Sequence, residues 1–215
     1  MSVTEADQVV AHVNSHAVFA PIIDEYQVPD MDRLNRDLVA EIRQWQQEDG
    51  GMTRSNVSGW HSSGNIFKRT DPAIEKACKH FIEACKPTLE RYFTKEQLNN
   101  ARLDLEGWAN INPPHGYNQM HTHDTFDLSG VYFVKIPQTS SEASGALQFL
   151  NPSYRYGPYS KLFHAMNPPK FTFRPKEGTL LVFPATMPHW VLPNDEDEDR
   201  ITLAFNLRMK ELSGG

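Results

Sequence analysis

The hydrophobic pattern of this chain changes period near residue 101, and that switch limits what the chain can fold into. Before it, apolar residues recur at helical spacing. Leu34, Leu38, Ile42 and Trp45 share one helical face, Asp30 stands where a cap belongs, and Gly50-Gly51 follows as a stop. A second helix is expected from Asp71-Pro72, with Ile74, Cys78, Phe81 and Cys85 on its apolar face; Pro87 is expected to kink or end it. The polar stretch Ser55–Ser62 between the two helices reads as a strand or lid outside the core. After residue 101 the period is two. RLDLEGW opens a run of short strands that continues with LSGVYFVKI, ALQFL, KFTF, GTLLVF and ITLAFNL, separated by Pro, Gly and Asn. The pattern predicts an α+β protein: a sandwich or barrel with helices packed on one side. The 215 residues suit one domain, with a helical part over about 1–100 and a strand-rich part over about 101–210.

Charge and composition narrow the function. A net charge of −6 argues against a large nucleic-acid surface, and no apolar run reaches the roughly 20 residues of a membrane span. The N-terminus lacks the basic start and apolar core of a signal peptide, so a cytoplasmic location is expected. Cys78 and Cys85 fall on one helical face about 10 Å apart, too far for a disulfide, and read as buried thiols. The acidic run Asn194–Asp199 reads as a solvated turn, with a second cation site as the alternative. His12, His16 and His80 read as ordinary surface or helix residues. The sequence does not set the oligomeric state.

Three features carry chemistry. His121-Thr122-His123 places two imidazoles on one side of an extended chain, which suits a metal pair; a structural or surface role is the alternative. His189 follows the apolar strand Gly178–Pro184 and is either a ligand or a hydrogen-bonded core histidine. In the strand from Arg200 to Leu207, Arg200, Thr202, Ala204 and Asn206 share one face, with Ile201, Leu203, Phe205 and Leu207 on the other. A guanidinium beside a hydroxyl suits a carboxylate. An ion-paired arginine on a solvated face is the other reading.

Taken together, Asn118-x-x-His121-x-His123, Leu128-Ser-Gly-Val-Tyr-Phe133, Gly178-Thr-Leu-Leu-Val-Phe-Pro184, His189 and Arg200-Ile-Thr202 resemble a bacterial and phage branch of the 2-oxoglutarate/iron(II) oxygenases. The resemblance spans roughly residues 104–208 and extends loosely to Ser55-Asn56 and Gly59-Trp60. It implies a double-stranded β-helix of jelly-roll type, with Fe(II) held by His121, His123 and His189. The commonest pattern has Asp or Glu where His123 stands, so Asp124 or Asp127 is the alternative third ligand. A histidine there also argues against a halogenase, which needs a small residue.

The same resemblance implies that Arg200 binds the distal carboxylate of 2-oxoglutarate and that Thr202 donates to it. Asn118 and Tyr132 are its candidates for the cosubstrate's other oxygens. The implied activity is O2-dependent hydroxylation of a small-molecule or amino-acid-like substrate, with release of succinate and CO2. The alternatives are a three-histidine cupin-type dioxygenase needing no 2-oxoglutarate, and a jelly-roll binding protein. The tyrosine-rich loop Asn151–Tyr159, with Arg155, reads as a lid or as packing. Trp60, His61, Trp108, His115 and Trp190 are further candidates to line the cavity.

Overall fold

A computed structural model describes residues 20–155, 157 and 159–210 of the chain; His12, His16, Tyr156 and Pro158 lie outside the described residues. The elements run β1 (Asp24–Gln27), α1 (Met31–Glu48), β2 (Asn56–Val57), β3 (Trp60–His61), α2 (Pro72–Glu90), α3 (Lys95–Asn100), β4 (Arg102–Asn112), β5 (Tyr117–His121) and β6 (Leu128–Lys135). They continue with β7 (Leu147–Leu150), α4 (Lys161–Met166), β8 (Lys170–Phe173), β9 (Thr179–Pro184), β10 (His189–Val191) and β11 (Arg200–Lys210). A short 3-10 turn, Ile66–Lys68, precedes α2.

The strands form two antiparallel sheets, as the strand pattern predicts, in the double-stranded β-helix that the resemblance implies. The larger has the order β1-β9-β6-β11-β4-β3 and the smaller β2-β5-β10-β7-β8. Three strands, β1 to β3, come from the part read as helical, and the polar stretch before α2 joins both sheets. His61 and Ser62 are buried there, contrary to the expectation that this stretch lies outside the core: Ser62 exchanges hydrogen bonds with the backbone of Ala109, which satisfies its polar groups.

The larger sheet has two buried faces. Its outer face meets the helices, where Leu34, Leu38, Ile42 and Trp45 of α1 and Ile74, Cys78, Phe81 and Cys85 of α2 pack with Ile201, Leu203, Phe205 and Leu207 of β11. Both cysteines are free and buried, and burial pushes each thiol up to about 12. Between the sheets a smaller apolar cluster gathers Phe133, Leu147, Phe149, Leu181, Phe183, Met187 and Val191.

Gly130 of the LSGVYF motif has a steric reason. A side chain on it would meet the Phe205 ring at 2.3 Å, and that ring stacks on Phe81 at 5.0 Å. Gly178 turns the chain into β9 at φ +78°, where a Cβ would also strike Gln27.

The helix ends differ from the sequence expectation. Asp30 occupies the cap position of α1 in a left-handed conformation, and its side chain makes no capping bond. Asp71 precedes Pro72 as expected, but its carboxylate is taken by Arg69 at 2.6 Å. Glu41 of α1 caps α2 instead, accepting from Ala73 N–H at 3.0 Å and from Ile74 N–H at 2.9 Å. Pro87 lies inside α2 and does not end it; the helix runs on to Glu90. The acidic run is not simply solvated. Asn194 is buried and donates to the Asn112 carbonyl, Asp199 pairs with Arg43, and Glu198 pairs with Lys135.

Because Glu41 satisfies two N-terminal amides and faces the positive end of α2, Glu41→Ala should lower stability by about 1–2 kcal/mol in urea denaturation. Asp71→Ala should cost less; the reverse order would show that Glu41 is not the effective cap.

Candidate metal centre

β5 and β10 pair antiparallel, and their register sets His121 directly opposite His189. The two ring centroids are 4.3 Å apart. His123 lies just past the end of β5, not on it, so strand alternation alone does not bring it in. Its backbone N–H donates to the Ala185 carbonyl in the β9–β10 turn at 2.9 Å, which draws its ring to 4.9 Å from His121 and 5.3 Å from His189. The three side chains offer ligand nitrogens that all lie within 4.8 Å of one another. Metal–nitrogen bonds near 2.1 Å would draw neighbouring nitrogens to about 3 Å apart, so loading requires a modest contraction.

Hydrogen bonds orient two of these rings. His121 Nδ1 meets the Gln119 carbonyl at 2.7 Å, and His189 Nδ1 meets the Met187 carbonyl at 2.8 Å. A carbonyl only accepts, so each Nδ1 carries the proton and each Nε2 is left as a free lone pair. Desolvation lowers the pKa of all three histidines, to about 3 at His189 and about 4 at His123, with mutual repulsion adding to the burial at both. At neutral pH the site is a neutral three-nitrogen donor set, which fits a divalent transition metal. Asp124 and Asp127 are exposed and do not join this cluster. Asp127 instead accepts from Met209 N–H.

A cavity of about 450 Å³ opens on the triad and extends to the inner face of β11, lined there by Arg200, Thr202, Ala204 and Asn206. The polar face of that strand is therefore buried against a cavity, not solvated. Arg200 is 2 % exposed, and burial lowers its guanidinium to about 10, so it stays charged at neutral pH. Its Nε donates to the Gly145 carbonyl at 3.1 Å, and it lies over the Phe133 ring. Among the described residues no carboxylate pairs with it. A buried cation without a counter-charge is costly, so this end of the cavity calls for an anion.

Asn118 lines the cavity beside it, accepting from Asn112 at 3.1 Å and donating to Ser55 at 3.3 Å. Tyr132 does not. It lies on the outer face of β6, fully buried against Phe81, and donates to Asn35 at 2.6 Å. Alternation along β6 turns Val131 to the cavity and Tyr132 to the helices. Of the other candidates, His61 and Trp108 line the cavity. Trp60 caps the end of α1 through Asp49, while His115 and Arg155 are exposed away from it. Sequence reading missed Asn110, which lines the cavity between His61 and Thr202. Its signal was available: Trp108 and Asn110 alternate in a strand whose other face is apolar.

Residues 106–206 match the family model described as "Putative 2OG-Fe(II) oxygenase". Over this segment the chain resembles the 2OG-Fe(II) oxygenases. Solved structures share the fold. A prolyl-4-hydroxylase from Pseudomonas putida aligns at 18% identity with a TM-score of 0.61, covering 88% of this chain and 93% of the other. A prolyl hydroxylase from Trichoplax adhaerens, in complex with a hypoxia inducible factor peptide fragment, aligns at 12% identity and 0.59, covering 86% and 83%. HygX from Streptomyces hygroscopicus, with nickel, 2-oxoglutarate and hygromycin B bound, aligns at 10% and 0.58, covering 86% and 82%. No curated protein sequence matches the chain. Among the described residues no helix is long and apolar enough to cross a membrane.

The buried histidines give the metal-free protein an acid-labile fold. Each takes up its proton near the ordinary 6.5 when unfolded but resists it when folded. Their contribution is therefore intact above pH 6.5 and lost as pH falls toward 4. Urea denaturation between pH 7 and pH 4 should show stability falling by up to about 1.4 kcal/mol per pH unit for each such histidine. His189→Gln should flatten that slope by one histidine's share, and an unchanged slope would mean that His189 is not resisting protonation.

Proposed function

We propose that this protein is an oxygenase that hydroxylates a C–H bond of a small-molecule or amino-acid-like substrate, with Fe(II) as metal and 2-oxoglutarate as cosubstrate. The observation that carries the reading is the pairing of a neutral three-histidine cluster with a buried, uncompensated Arg200 in one cavity. In this reading His121, His123 and His189 hold the metal. Arg200 receives the distal carboxylate of 2-oxoglutarate, Thr202 donates a hydrogen bond to it, and Asn118 contacts its other end. When bound, iron(II) with 2-oxoglutarate and O2 supplies the oxidation of the C–H bond, leaving succinate and CO2.

The chain's own part is to bind and orient. The carbonyls of Gln119 and Met187 hold two ligand rings in the tautomer a metal needs. Val131, Leu147 and Phe183 line the cavity with apolar surface that excludes water from the reacting centre. The helices brace the outer face of the sheet that carries Arg200, which supports reading residues 1–215 as one domain.

A second reading has one specific observation behind it: the metal cluster contains no carboxylate. A three-histidine dioxygenase that needs no 2-oxoglutarate would have that donor set. The uncompensated Arg200 favours the cosubstrate-dependent reading.

Succinate formation from 2-oxoglutarate by iron-loaded protein, on admission of O2, separates the two readings. Metal-dependent succinate, abolished by chelator and by His189→Ala, is the expected outcome. Iron binding without 2-oxoglutarate binding would favour the cosubstrate-independent enzyme. Arg200→Ala should raise the apparent KM for 2-oxoglutarate by at least about 30-fold, the loss of roughly 2 kcal/mol from a buried charge pair. An unchanged KM would remove Arg200 from cosubstrate binding.

A further inference from the structure

A fourth histidine faces the same cavity outside the metal cluster. His61, in the short strand β3, pairs across the ladder with Asn110 of β4. Its backbone is held on both sides: its carbonyl accepts from Met52 N–H at 2.8 Å, and Ser62 N–H donates to Ala109 at 3.0 Å. Its ring stacks on Trp108, with centroids 5.2 Å apart and planes 14° from parallel. Trp108 in turn lies 5.5 Å from the ring of His123. His61 is therefore one indole away from the proposed metal, locked in place, and it lines the cavity.

Its protonation pattern follows from one contact. His61 Nδ1 lies 2.8 Å from the Ser62 carbonyl, so Nδ1 carries the proton. Nε2, across the ring, has no hydrogen-bond partner among the described residues. It is a bare acceptor on a residue only 8 % exposed. The neighbouring layer holds another unsatisfied acceptor, the buried Asn110 Oδ1. A wall that presents acceptors and an aromatic face is built for a ligand that donates hydrogen bonds.

We propose that His61 is a substrate-positioning residue whose Nε2 accepts a hydrogen bond from a neutral N–H or O–H of the substrate, an amide or a hydroxyl, laid against Trp108. Charges of both signs surround His61, with Arg54 and Glu106 lining the cavity and Asp49 opposing Arg54 at the ring, so nothing there calls for a charged donor. Desolvation chiefly, and Arg54 secondarily, hold the His61 ring below its ordinary pKa, which keeps Nε2 free to accept. An ester, ether or tertiary amide of the same shape would leave Nε2 unsatisfied and be rejected. This assignment rests on the oxygenase reading for the word substrate, but the acceptor itself is a property of the cavity.

The test uses two fragments of similar shape, acetamide and N,N-dimethylacetamide, on protein loaded with redox-inert Zn(II) and 2-oxoglutarate. Long-range ¹H–¹⁵N NMR of the histidine rings reports the tautomer directly and requires no mutation. The expected result is a protonated Nδ1 and a bare Nε2 at His61. Its Nε2 resonance should move with acetamide, at an affinity about tenfold or more above that for dimethylacetamide. A proton on Nε2, no response to acetamide, or equal response to both fragments would overturn the proposal.

His61→Phe keeps a ring against Trp108 and removes the acceptor. It should retain stoichiometric Zn(II) while the acetamide-induced shift of the Trp108 indole N–H disappears; a persisting shift would also overturn the assignment. Calorimetry of 2-oxoglutarate binding on the same samples keeps the two readings apart. Failure there counts against the cosubstrate, while the fragment response with Zn(II) alone still reports on His61.

Discussion

A β-strand buried on both faces must satisfy two different environments with one alternating sequence, and β11 does this for the whole molecule. Ile201, Leu203, Phe205 and Leu207 are buried against the helices, and Arg200, Thr202 and Asn206 are buried toward the cavity. A one-residue slip would drive a guanidinium into the apolar core and expose leucine and phenylalanine to the cavity, so the register is under strong selection by energy alone. β4 and β6 pair with β11 along most of its length and inherit its two-sidedness. Helix packing, the cavity and its Arg200 end all follow from that alternation.

Electrostatics divides the cavity into two halves with opposite needs. The histidine cluster is neutral because burial and mutual repulsion disfavour protons, so a divalent cation would meet lone pairs and not like charge. The β11 end carries the positive charge of Arg200, with no carboxylate to balance it among the described residues. A dianionic keto acid bridging the two would satisfy both at once, and the apolar residues between the sheets keep water from screening either contact. With His123 as the proposed third ligand in place of the usual carboxylate, a loaded centre would be one charge unit more positive and would attract anionic ligands more strongly.

Where sequence expectation and structure part, the cause is competition among long-range partners. Asp71 stands in a good capping position, yet Arg69 takes its carboxylate and Glu41 reaches across from another helix. Tyr132 sits in a motif beside the cavity, yet the pleat turns it to Asn35. His123 reaches the cluster through a hydrogen bond to Ala185, a residue distant in sequence. Local rules name the available groups, while tertiary contacts choose among them.

Periodicity by itself determined the two halves of this chain, the apolar faces of α1 and α2, and the division of β11 into a polar and an apolar side. These depend on helical and strand repeats, which are local. Residue types and their order also determined that His121, His123, His189 and Arg200 were the groups to follow. Only the tertiary structure decided that the polar side of β11 faces an enclosed cavity, that Asp124 and Asp127 stay outside the histidine cluster, and that His61 enters the cavity from the part read as helical. Those outcomes turn on which strands pair and which groups lose their water, and pairing across tens of residues leaves no periodic trace in the chain.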